Sequence, residues 1–351
     1  MSMVNLRRAA LLGAFASSLV LVACQEPPAP PPPAPPPPPP PVALSSGVAE
    51  AAAAYETYVS QAKEIQANFA DGESIQASLR KGESYEAKQL AQGVIAYGAV
   101  LALQEPTFVA GVRELGRDPA QRQQIVNQIF ADPAYAAQLP GADAAAGRVV
   151  AELTADGAAV HKAGSAVKQS AYDVQRQKWS KEFVKEREAR LATAKQLSSQ
   201  PIAPSTDLSA QLLQAALSGT GLPSVTAGAE KPYTPAVQRS LAIAALAALG
   251  AAGDDNATQV NALLEDNVGP SCLNLSKLNL YQCLAVSKPH YEDVFCLGQH
   301  VLMDTGQCIT KVAGKIAPVG EPIPLPAAPA ALDAASNTTN AVQTEGPKGG
   351  K

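Results

Sequence analysis

The sequence predicts an all-α fold: a helical bundle built on a long central helix, followed by a smaller C-terminal α-helical domain that carries a disulfide-stapled helical hairpin. Three observations carry the prediction. No segment alternates apolar and polar residues over the four to eight positions that a half-buried strand requires. Apolar residues instead recur at three- and four-residue steps, as in Ile75, Leu79, Leu90, Val94, Tyr97 and Leu101. Four cysteines, Cys272, Cys283, Cys296 and Cys308, fall in one short stretch whose spacing suits two antiparallel helices.

The elements follow in order. Residues 48–69 are alanine-rich and helical, closed by Ala70-Asp71-Gly72, and residues 72–103 read as one second helix. Asp118-Pro119 and Asp132-Pro133 each place a side-chain acceptor before a first-turn proline, which starts a helix. Leu139-Pro140-Gly141 is a break. The stretch from Ala142 to Ser198 contains no proline and reads as the long central helix. Within it Leu153, Val160, Val167 and Val174 recur every seven residues, and Gly157, Gly164 and Ala171 form a small seam beside them. Small side chains let a neighbouring helix approach closely, and each glycine costs about 1 kcal/mol of helix propensity, so this helix needs a partner. The charges from Lys178 to Arg190, with Glu182–Lys185 and Glu186–Arg190 as helical pairs, read as a solvated face.

Pro201 to Pro204 marks a boundary between a bundle over residues 46–200 and a domain over 201–317. A short helix spans residues 208–217, and a Gly/Pro-rich loop spans 219–232. Thr234-Pro235 then caps a helix whose stretch from Leu241 to Leu249 is entirely Leu, Ile and Ala. Nine apolar residues are too few to cross a bilayer, and they read as a buried helix on which the cysteine hairpin packs. Residues 255–268 add an amphipathic turn or two. From Pro318 to Lys351 the composition is that of a disordered tail.

The two hairpin arms are residues 274–287 and 291–303, broken by Lys288-Pro289-His290. Cys272 and Cys283 lie 11 residues apart, three helical turns plus about 20°, and so share a face. The position sums of 283 with 296 and of 272 with 308 differ by one. That mirror spacing about Pro289 predicts Cys283–Cys296 as the inner bond and Cys272–Cys308 as the outer. Each closes a loop worth about 3 kcal/mol of denatured-state entropy.

The amino terminus sets the expected location. Arg7 and Arg8 precede a fifteen-residue apolar run, Ala9 to Ala23, broken only by Gly13, Ser17 and Ser18. Such a run rises about 22 Å as a helix, short for a hydrocarbon core of roughly 30 Å, and has the layout of a secretory signal. Leu21-Val22-Ala23-Cys24 ends it, and this resembles the lipobox of bacterial lipoproteins. The resemblance covers residues 1–24 only. It implies removal of residues 1–23, lipid attached to Cys24, and, with Gln25 rather than Asp next in line, transfer to the outer membrane. Between Pro27 and Pro41 every residue is proline except Ala29 and Ala34, an extended tether of about 45 Å within residues 24–45.

Composition narrows the chemistry. Loss of the two signal arginines takes the formal net charge from −4 to −6, which offers no electrostatic footprint for nucleic acid. There are three histidines: His161, expected on the surface of the long helix, and His290 and His300, which flank Cys296 beside Glu292 and Asp293. None has zinc-site spacing, and disulfide cysteines are closed to metal and to nucleophilic chemistry, so no metal or cofactor is expected. Ser165-x-x-Lys168 and Ser78-x-x-Lys81 match a serine–lysine motif without its companion elements. The expected function is therefore non-enzymatic. The chain reads as a lipid-anchored protein of the cell envelope, in the periplasm or at the outer membrane, with an interaction or structural role toward an envelope protein or cell-wall partner. The alternatives are a carrier for a small apolar ligand or lipid near Leu241–Leu249, and a periplasmic hydrolase or accessory enzyme using the His290–Asp293 region with His300.

Overall fold

Helix α1 (Ser46–Lys63) and helix α3 (Ala87–Ala102) form the first layer, and their contact is set by residue size. A methyl group at Gly93 of α3 would stand 2.7 Å from the Ala51 carbonyl oxygen, so the two backbones touch there. Tyr55 and Tyr58 of α1 are wholly buried and meet Tyr97 and Tyr85 ring to ring, at centroid distances of 5.3 and 4.7 Å. The computed structural model describes residues 38–223 and 228–315, and these are α-helical with no extended strand. The expected tail 318–351, the expected signal segment 1–23 and Cys24 lie outside the described residues. Residues 38–45, expected to end a tether, run along the body: Ala43 N–H donates to the Ala247 carbonyl at 3.0 Å, and Leu44 is buried.

Helix α2 (Gly72–Glu83) begins at a capping box between Asp71 and Ser74. The helix expected over 72–103 is interrupted at residues 84–86 without a proline. Ser84 Oγ donates to the Arg80 carbonyl, and the Glu86 carboxylate accepts from the Lys88 and Gln89 amides to open α3. Local side-chain bonds of this kind compete with the helical ladder. Helices α4 (Pro106–Leu115) and α5 (Pro119–Ala131) and the 3-10 turn Pro133–Gln138 follow, with Asp118 and Asp132 capping as their spacing predicts.

The central helix α6 (Ala142–Val174) spans 33 residues and stops short of the expected Ser198. Ser180 Oγ donates to the Val174 and Gln177 carbonyls and occupies acceptors that a continuing helix would use. The chain then runs extended, Val184 N–H donating to the Lys288 carbonyl at 2.8 Å, and turns through a left-handed Glu186 into α7 (Arg187–Leu197). Glu182–Lys185 and Glu186–Arg190 are therefore not helical pairs; Glu182, Lys185, Glu186 and Glu188 are exposed as expected, but Arg190 is buried.

Helices α8 (Thr206–Ser218), α9 (Pro235–Ala248) and α10 (Ala257–Leu263) complete the middle of the chain, and the hairpin is α11 (Val268–Val286) against α12 (His290–Cys296), a π-helical turn Leu297–Met303, and α13 (Asp304–Val312). The Leu241–Leu249 segment of α9 is buried as expected, but against α3, α6 and the 133–138 turn. The hairpin packs elsewhere, with α12, the π turn and α13 lying on α6. The reason is the small seam. A methyl at Gly157 would come 2.7 Å from the Gly306 carbonyl oxygen, and one at Gly164 would come 2.7 Å from that of Gly298. Glycine thus faces glycine, and the backbones approach more closely than any side chain allows. The α6 glycines are seven residues apart and their partners eight, and the wider π turn between the partners takes up the extra residue. Side chains from Leu44 to Ala313 share one hydrophobic core, continuous across the boundary expected near residue 200, because α9 and the hairpin each fill a groove of the N-terminal layer.

Candidate functional site

The hairpin is held at both ends. Cys283 joins Cys296 with their Cα atoms 5.8 Å apart, and Cys272 joins Cys308 at 5.7 Å. These are the pairs that the mirror spacing describes. With Leu273, Leu280 and Leu284 turned inward, the opposite face of α11 is left to solvent and carries Leu275, Leu278 and Val286, the last of them 73% exposed. Residues 275 and 286 are three turns apart and lie on one stripe. Beyond Val286 the stripe meets Phe295 of α12 and Tyr172 of α6 around a shallow hollow of about 300 Å³, floored by the Cys283–Cys296 bond. Lys168 Nζ stands 5.2 Å over the Phe295 ring and donates to Gln299 at 2.7 Å.

The polar residues that sequence reasoning grouped near Cys296 are separated by the fold. Asp293 is wholly buried. Its Oδ1 accepts from Arg190 at 2.5 Å and from Ser287 Oγ at 2.8 Å, and its Oδ2 accepts from Gln76 at 2.8 Å. His290 packs over Gly72, with its ring centroid 6.2 Å from that of Trp179. His300 turns instead to Asp304, Nδ1 to Oδ2 at 2.9 Å. His161, expected at the surface, is buried, because the close approach at Gly306 lays α13 across its backbone. Burial lowers its pKa and favours the neutral ring. Among the described residues no group of three His, Cys, Asp or Glu is placed to hold a metal ion. The two serine–lysine motifs are not joined either: Ser78 Oγ donates to the Ser74 carbonyl, and Lys81 pairs with Glu64 at 2.8 Å.

A second site was not visible as a motif. A cleft of about 1090 Å³ opens between α1, α6 and α8. Glu56 and Lys63 enter it from α1, Glu152 and Asp156 from α6, and Tyr97 from α3. Asp156 is buried, with Oδ1 accepting from Lys63 at 3.0 Å and Oδ2 from the Tyr55 hydroxyl at 3.2 Å. Burial and the charge of Asp156 raise the pKa of both Glu56 and Glu152. Burial, then the surrounding carboxylates, raises that of Tyr97 far above the ordinary phenol value. The sequence does carry half of this signal: Arg148, Glu152 and Asp156 stand one turn apart along α6. What brings Glu56 opposite them is the packing of α1 on α6.

Comparison with known proteins places the chain in no group: no family model, no curated protein and no solved structure matches it.

Proposed function

We propose that this chain is a lipid-anchored protein of the bacterial envelope, tethered through Cys24 and acting without catalysis by presenting its stapled hairpin to another envelope protein. The observation that carries the reading is the outward stripe Leu275–Leu278–Val286, continued by Phe295, on a hairpin held by two disulfides. Two bonds in so short a segment suit an oxidising compartment, which agrees with export. A rigid apolar face rimmed by polar residues is the form that a protein contact takes, and fixing it before binding lowers the entropy lost on association. The carrier reading gains little support, because Leu241–Leu249 is taken up by packing against neighbouring helices. The hydrolase reading is weakened by the loss of its carboxylate, since Asp293 already accepts three hydrogen bonds.

The test is crosslinking in intact cells followed by purification through a C-terminal tag, for the native chain, Cys24→Ala, and Leu278→Lys/Val286→Lys. The reading expects one protein partner that is lost from both variants while the body stays folded. A partner kept by the lysine variant moves the contact off the hairpin. A partner kept by Cys24→Ala removes the need for an anchor.

A further inference from the structure

The cleft between α1, α6 and α8 is separate from the hairpin face, and its chemistry differs. We infer that it binds a small organic cation, a primary ammonium group on an alkyl stem, with the ammonium held by Glu56, Glu152 and Tyr97. The argument begins with charge. Three carboxylates line the cleft from two helices, and Lys63 is committed to Asp156, whose second oxygen is taken by Tyr55. Glu152 accepts no hydrogen bond from any described residue, and Glu56 accepts only a long one from Ser60, at 3.4 Å. Arg148, on the same face of α6, has its Nη1 donating to the Pro223 carbonyl at 3.2 Å. Two carboxylates therefore face the opening with most of their acceptor capacity unused, and with Lys63 near both and Arg148 near Glu152 as the cations already at hand.

The second observation is independent of the carboxylates. Tyr97 is only 4% exposed and lines the cleft, yet its hydroxyl has no hydrogen-bond partner among the described residues. The ring is buried while the hydroxyl stands open at the cleft, where a ligand donor can meet it. Its aromatic ring also suits a cation. The opposite wall is mixed: Leu208, Leu212, Leu222 and Pro223 give the alkyl stem a surface to cover, with Gln211, Gln214, Ser218 and Thr220 among them. An ammonium brings three donors and no acceptor, which matches two carboxylates and a phenol oxygen. An anion is refused by charge, and no cluster among the described residues suits a metal ion. The raised pKa values of Glu56 and Glu152 add a consequence: bound cation favours their ionised forms, so binding releases protons and strengthens as pH rises through the carboxylate range.

The experiment is isothermal titration of the purified, oxidised full chain with 1,5-diaminopentane, with 1,5-pentanediol and magnesium chloride as comparisons, at about pH 5 and about pH 8. Saturable diamine binding is expected, stronger at the higher pH and weakened about tenfold or more by Glu152→Gln, with a smaller loss in Tyr97→Phe. Far-UV circular dichroism of each variant verifies the fold, and Glu56→Gln serves as the second carboxylate variant should Glu152→Gln fail to fold. The inference is overturned by no diamine binding up to about 10 mM, by equal binding of the diol, by equal competition from magnesium, or by full binding in a folded carboxylate variant.

Discussion

Replacing Asp293 with Asn tests whether the centre of the hairpin is architecture or chemistry. The carboxylate is fully buried and ties four elements together: Arg190 of α7, Gln76 of α2, Ser287 at the end of α11, and its own α12. Asparagine keeps the shape and removes the charge, leaving the buried Arg190 guanidinium without its counter-ion. Breaking a buried pair from one side costs about 3–5 kcal/mol. The remaining bonds from Arg190 to the Leu284 and Ser287 carbonyls place the loss toward the lower end of that range. For a chain of this size each kcal/mol moves the melting temperature by about 2–4 °C, so a fall of roughly 6 to 12 °C is expected. Thermal and urea unfolding of the oxidised protein, followed by circular dichroism, measures it. The double variant Arg190→Met/Asp293→Leu, which removes both charges, is expected to lose less than Asp293→Asn alone. A single variant within about 1 kcal/mol of wild type, or a double variant as damaged as the two singles added, would refute the reasoning.

Two further predictions follow from other contacts. At the glycine seam, Gly306→Leu drives a side chain into the Gly157 carbonyl and the His161 amide, 2.5 and 2.6 Å from its Cβ, and is expected to cost at least about 1–3 kcal/mol in urea unfolding. Gly228→Ala, with nothing within 4 Å of the added carbon, should leave the midpoint unchanged. The third concerns pH. Burial raises the Glu83 carboxyl to about 8 and lowers the nearby Lys277 ammonium to about 7. A raised carboxyl pKa means that the folded state holds the proton longer, so stability is full below the ordinary value and falls as pH rises from about 4.5 toward 8. Lys277, depressed, contributes in the opposite sense above about 7. Glu83→Gln is therefore expected to flatten the decline in melting temperature between about pH 5 and 7, and an unchanged slope would remove Glu83 as its source.

The hairpin was legible because a four-cysteine pattern and helical geometry both act over short distances. The caps at Asp118, Asp132 and Thr234 were legible for the same reason. The two helix breaks were not, since neither contains a proline and each rests on side-chain bonds to the backbone by Ser84, Glu86 and Ser180. The small seam on α6 could be read from its seven-residue step, but its occupant could not. The matching glycines stand eight apart, and only the π turn brings them onto one face. That hidden match moved the hairpin from α9 to α6 and buried His161. The cleft was half legible, because Glu152 and Asp156 share a helix face while Glu56 joins them across about a hundred residues of chain.

The glycine groove also fixes an order of events. Ribosomes deliver α6 well before residues 298–306, so its groove stays open, and the helix stays weak by composition, until almost the last described element has emerged. Until then the core that runs from Leu44 to Ala313 is incomplete. The segment that closes the groove is flanked by Cys296 and Cys308, so the packing of that segment and the sealing of both disulfides fall to one piece of chain.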